Sequence, residues 1–154
     1  MGAAALALAA AGPAHPQGRA LVVTEAGAGA MAVLARRGFW GPELSVARRG
    51  GAGGEGRFAL SAAGGDYDGV VGMRLQATAQ LLLRPGDRTG LGPYAGLGLA
   101  FVGAEATHGA GYLTAVLGVD AAPGRGAGWY AELGLGGGVR LAAGRHWRRF
   151  PPWW

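Results

Sequence analysis

The chain has 154 residues, 33 of them glycine, with no cysteine and no lysine. The missing cysteine excludes a disulfide framework, a thiolate metal site and a cysteine nucleophile. Half of the chain is apolar and only 15% is charged, too little charge for an ordinary disordered segment. Glycine costs a helix interior roughly 1 kcal/mol per residue, so this composition favours an all-β fold. The formal charge of +5 comes from arginine. The arginines occur as end pairs (Arg36-Arg37, Arg48-Arg49, Arg148-Arg149) or singly at alternating positions. They form no single basic face, so nucleic acid is not an expected partner. They read as solvated charge in loops and at strand ends.

The chain opens on a short apolar block, Ala3 to Gly12, followed by Gly12-Pro13-Ala14. This has the length of a secretory h-region and a small-residue cleavage site. Residues 1–18 are therefore read as a signal peptide, truncated at its start because no basic n-region precedes the block. Residues 19–147 are assigned to one β domain and 148–154 to a C-terminal tail. No run of about 20 apolar residues could cross a bilayer as a helix.

Glu25 to Leu34 alternates only faintly. Trp40, Pro42, Leu44 and Val46 alternate with Gly41, Glu43, Ser45 and Ala47; Phe58, Leu60 and Ala62 alternate with Arg57, Ala59, Ser61 and Ala63. Val70 to Arg84 is clearer, with every odd position apolar and Arg74, Gln76, Thr78 and Gln80 on even ones. The same parity runs through Gly92 to Glu105, Gly111 to Ala121 and Trp129 to Ala143. Period two is the strand signature. Clusters rich in Gly, Pro and Asp separate these runs, and no helix-period segment intervenes. The pattern is a meander of antiparallel strands.

Both soluble barrels and membrane barrels alternate, so the filling of the two faces decides. One face carries Leu, Val, Met and Phe. The other is nearly bare Gly and Ala with scattered Arg, Glu, Gln and Asp. A sparse face suits the crowded interior of a small closed barrel, and the bulky face then meets lipid. Several runs also exceed the ~9–11 residues that a spanning strand needs. The expected fold is a closed antiparallel up-and-down transmembrane β-barrel of eight strands. Glu43, Arg74, Gln76, Asp120, Glu132 and Arg140 are expected to form a charge network in the lumen. Met73, Leu75, Leu81, Leu97, Leu99, Phe101, Leu113, Leu117, Leu133 and Leu135 are expected to face lipid. Phe39, Trp40, Tyr94, Tyr112, Trp129, Tyr130 and Trp147, near strand ends, are expected to form aromatic girdles.

The stretches "GPYAGLGLAF", "GYLTAVLGVDAAP" and "GWYAELGLGGGVRL" resemble three successive strands of the small bacterial outer-membrane β-barrels of the OmpA-like and opacity type. The resemblance covers roughly residues 70–145. It implies eight strands, export, both termini in the periplasm, location in the cell outer membrane and no catalytic residues. Seven segments are clear. The eighth strand is either Arg19–Thr24 or the product of splitting Trp129–Trp147 around Gly136–Gly138. The family closes on a strand with a terminal aromatic residue read by the assembly machinery. Pro151-Pro152 departs from that pattern and leaves Trp147 or Phe150 for the role.

The expected function is that of a monomeric outer-membrane barrel with a filled or very narrow lumen and a structural or interaction role. Its partners are outer-membrane lipid and the barrel-assembly machinery. No catalytic, cofactor or metal site is expected: His15, His108 and His146 are far apart in sequence. One alternative is a soluble periplasmic lipocalin-like binder. Another is a lipid-modifying barrel enzyme, which would need a Ser–His–acid set near one rim; only Ser45, Ser61 and the loop residue His108 offer themselves.

Overall fold

A computed structural model describes residues 21–105 and 108–154. They form eight antiparallel strands: β1 (Val23–Leu34), β2 (Phe39–Gly50), β3 (Gly56–Tyr67), β4 (Val70–Leu82), β5 (Leu91–Ala104), β6 (Ala110–Ala121), β7 (Ala127–Leu135) and β8 (Val139–Arg149). Each pairs with its sequence neighbour, and β8 returns to β1 through Thr24↔Arg149 to Leu34↔Val139. The sheet is thus a closed up-and-down barrel. Closure pairs every strand edge, the condition for strands to stand in hydrocarbon.

The eighth strand comes from the split of Trp129–Trp147, not from Arg19–Thr24. Gly136, Gly137 and Gly138 have φ of +153°, +75° and +142°, a path that L side chains strongly disfavour. Arg19 and Ala20 lie outside the described residues, as does the expected signal segment. At the opposite hairpin, Asp68 and Gly69 adopt φ of +54° and +87°. This two-residue Asp-Gly connection joins β3 to β4 with the twist that hairpins favour.

Side chains alternate in and out on every strand. Odd residues point inward on β1–β3 and even residues on β4–β8, as the burial pattern records. The switch falls at the Asp68-Gly69 turn, whose two residues pair Tyr67 with Val70. Narrowness demands glycine at close approaches. A Cβ on Gly98 would strike the backbone of Ala77 and Thr78 on the neighbouring strand.

The two ends differ. At the end distal to the termini, the connections 35–38, 68–69, 105–109 and 136–138 are two to five residues long. At the terminus end, the connections are 51–55, 83–90 and 122–126. There Leu21, Val23, Leu82 and Pro123 are buried, and Leu21 N–H donates to the Gly51 carbonyl. The tail after β8 turns back, with Trp154 stacked on Phe150 at 5.5 Å. Pro151 and Pro152 lie beyond the ladder, which ends at Arg149.

Candidate functional site

The barrel interior gathers the buried charge. Glu25, Glu43, Arg49, Arg57, Arg74, Asp120, Arg140, His146 and Arg148 are all buried. Inward parity puts them there, and for all but Arg74 ion pairing makes it tolerable, because an unpaired buried charge costs several kcal/mol. Two clusters result.

The cluster nearer the distal end is built on Arg140 of β8. Its Nη2 donates to both oxygens of Glu43 on β2, at 2.8 and 2.6 Å, and its Nη1 donates to Glu132 Oε2 on β7 at 2.5 Å. One nitrogen thus serves both Glu43 oxygens while the other serves Glu132, and all three bonds are charge-assisted. Met31, Val33, Phe39, Ala63, Tyr130 and Ala142 form an apolar plug in the lumen against which Tyr67 packs.

The cluster nearer the terminus end is larger. Asp120 of β6 is fully buried and takes four neighbours: Arg57 Nη1 at 2.8 Å, Arg148 Nη2 at 2.9 Å, Arg49 Nη2 at 3.8 Å and His146 Nδ1 at 2.9 Å. Glu25 of β1 pairs with Arg49 and, at 3.3 Å, with Arg57. Arg49 Nη1 also donates to the carbonyls of Pro85 and Pro123, at 3.3 and 3.1 Å. Those carbonyls belong to two of the terminus-end connections, so this arginine ties both of them to the barrel mouth.

Two tyrosines join the clusters. Tyr94 donates its hydroxyl hydrogen to Glu132 Oε1 at 2.9 Å, and its ring lies 4.2 Å under the Arg57 guanidinium. Tyr130 belongs to the apolar plug and stacks on His146 at 4.1 Å. Between the clusters is a polar void of about 30 Å³, bordered by Ser45, Ser61, Gln76 and Thr78 among others. That is room for one or two waters. A second void of about 20 Å³ lies at the distal end beside Arg74, Phe39 and Tyr112.

Glu43, Arg74, Gln76, Asp120, Glu132 and Arg140 all point inward, but they divide into three sets. Glu43, Glu132 and Arg140 meet. Asp120 lies with the other cluster. Arg74 forms no salt bridge among the described residues; its Nη2 donates to Gln76 Oε1 at 3.3 Å and to the Gly136 carbonyl at 3.1 Å. Parity gives the face of a residue and not its height along the barrel, and height separates Arg74 from Asp120. The ten leucine, methionine and phenylalanine positions named on the opposite parity are all exposed on the outer wall, Leu113 most of all at 83%.

Two expectations need correction. The arginine pairs at segment ends are not simply solvated. Arg49 and Arg148 are buried in the lumen, while their neighbours Arg48 and Arg149 are exposed. A strand turns one member of any adjacent pair inward. Arg49 shares parity with Glu43, and Arg148 with Arg140, so the signal was available. The aromatic girdle is also smaller than expected. Trp40, Trp129 and Trp147 are exposed, but Phe39, Tyr94 and Tyr130 are buried inside and Tyr112 also faces inward. The same parity argument accounts for them.

His108 is exposed within the 105–109 connection at the distal end. Ser45 borders the lumen void near His146, but no hydrogen bond joins them among the described residues, and Asp120 is shared with three arginines.

No family model matches the sequence, and no curated protein matches it. Solved structures do match. Neisserial surface protein A (NspA) aligns with a TM-score of 0.58 at 17% identity, covering 83% of this chain and 97% of that one. The N-terminal β-barrel domain of Pseudomonas aeruginosa OprF aligns with a TM-score of 0.57 at 18% identity, with the same coverages of 83% and 97%. At this identity the likeness is one of fold, the closed eight-stranded antiparallel up-and-down barrel.

Proposed function

We propose that the chain is an outer-membrane barrel with a sealed lumen, acting as a structural or interaction element in the membrane. The observation that carries this reading is the inversion of the two faces. The inner face holds the buried ion pairs, while Leu44, Leu97, Leu99, Leu113, Leu117 and Leu135 stand exposed around the outside. In water such a wall would be an aggregation hazard; in lipid it is the ordinary outer surface. The structural neighbours are outer-membrane proteins, which supports the location.

The lumen supports the sealed reading. Eight strands leave an interior that side chains fill, and the voids here have room for little more than single waters. The void beside His146, at about 30 Å³, has no room for a substrate among the described residues, which argues against a lumen enzyme. The short distal connections support a role for the wall and rims. A surface adhesin would present longer loops there, the usual outer-membrane pattern.

Expression behind a signal peptide tests the reading. An unboiled sample should migrate differently from a boiled one on a gel and should fractionate with membranes. Soluble periplasmic recovery without a shift would sink the membrane barrel. In planar bilayers the folded protein should show no discrete conductance; clear single-channel steps would sink the sealed lumen while leaving the barrel.

A further inference from the structure

The exposed charge is distributed unevenly between the two rims. Around the terminus end, Arg48, Arg84, Arg88, Arg125, Arg145 and Arg149 are exposed, against Glu55 and Asp87. Around the distal end, the exposed or half-exposed charges are Arg36 and Arg37 against Asp66, Asp68 and Glu105. None of the six terminus-end arginines has a side-chain hydrogen bond or ion pair among the described residues.

Three of the six lie together on the outer wall. Thr24 of β1 pairs with Arg149 of β8 on one side and Arg48 of β2 on the other. Two strand spacings of about 4.8 Å separate those two arginines. Arg145 lies four residues from Arg149 on the same face of β8, with exposed Trp147 between them. Trp129 pairs alongside Arg145, and Phe58 alongside Arg48; both rings are exposed. Guanidinium groups here emerge from an aromatic and aliphatic wall that carries no outward acid near them. An arginine fork matches phosphate oxygens, and the rings suit the boundary between headgroup and acyl chain. A free anion would gain nothing from those rings.

We propose that the β8–β1–β2 sector of the terminus-side rim, through Arg48, Arg145 and Arg149, binds the phosphate headgroups of anionic phospholipid. This rests on the membrane-barrel reading. It assigns the barrel a lipid preference on the side where its termini lie.

The test reconstitutes the full chain into vesicles of phosphatidylcholine alone or mixed with phosphatidylglycerol, and measures lipid retained on the protein by native mass spectrometry. Phosphatidylglycerol should be retained over phosphatidylcholine, and each arginine should contribute up to about five-fold. High salt should weaken the preference. The Arg48→Gln/Arg145→Gln/Arg149→Gln variant should bring the two lipids close to parity. An Arg84→Gln/Arg88→Gln variant, altered in a connection beyond the wall, should keep most of the preference. A gel shift on boiling verifies that each variant is folded. Equal retention of both lipids by the unaltered protein would overturn the proposal, as would a preference that survives the triple replacement. Failure to insert even into phosphatidylcholine vesicles is a different result, and it would overturn the barrel reading itself.

Discussion

Toward the distal end of the lumen, one arginine sits between two carboxylates: Arg140 with Glu43 and Glu132. Toward the terminus end, three arginines and a histidine crowd around two carboxylates, Glu25 and Asp120. The first cluster is closed on itself apart from the Tyr94 hydrogen bond. The second also reaches out, through Arg49, to the carbonyls of two terminus-end connections. The difference shows that similar chemistry serves two ends. One cluster fills the barrel, and the other fills it and fastens its mouth. It follows that carboxylate is scarce in the second cluster and in excess in the first.

Asp120→Asn should therefore have the largest effect. It leaves Arg57 and Arg148 buried with less compensating charge, and removal of one partner of a buried pair costs about 3–5 kcal/mol. Urea unfolding of the reconstituted barrel, followed by tryptophan fluorescence, measures this. A loss below 1 kcal/mol would mean that water or rearrangement reaches the site.

Glu43→Gln should cost less, about 1–3 kcal/mol, because Glu132 still holds Arg140. If it equals Asp120→Asn in the same unfolding assay, the two clusters do not differ as described. Arg74→Met should cost only about 1 kcal/mol, since it removes two hydrogen bonds and no salt bridge. The smallest effect is expected for a joint change, Glu43→Met with Glu132→Leu, Arg140→Met and Tyr94→Phe, which leaves no Tyr94 hydroxyl without its acceptor. Buried ion pairs replaced as a set by apolar groups are often neutral, so its midpoint should stay near that of the unaltered protein. A collapse of that variant would show that the closed cluster specifies the fold.

Much of this molecule was legible as parity. In β4, Arg74, Gln76, Thr78 and Gln80 mark the inner face residue by residue, and Glu43, Glu132 and Arg140 follow the same rule on their own strands. Two things were hidden. The hairpin between β7 and β8 has a three-residue connection, so even positions point inward on both strands. The alternation continues through the turn and reads as one long strand, with only the glycines to mark it. The terminus-side cluster was obscured differently. Glu25 sits in a stretch of small residues where alternation is faint, and Arg49 and Arg148 each stand next to an exposed arginine. Their grouping depends on register around a closed sheet, which no single strand encodes.

The absence of cysteine from the chain allows the central claim to be tested on one strand, β6. Single cysteines are placed outward at Leu113, Ala115 and Leu117 and inward at Thr114 and Val116. Each protein is folded into vesicles, treated with a thiol-reactive fluorophore and exposed to brominated lipid. The outward positions should take the label and be quenched by lipid, while the inward positions should stay unreactive until the barrel is unfolded. Outward labels that brominated lipid does not quench, or inward cysteines that react as readily as outward ones, would contradict a sealed barrel with lipid around it.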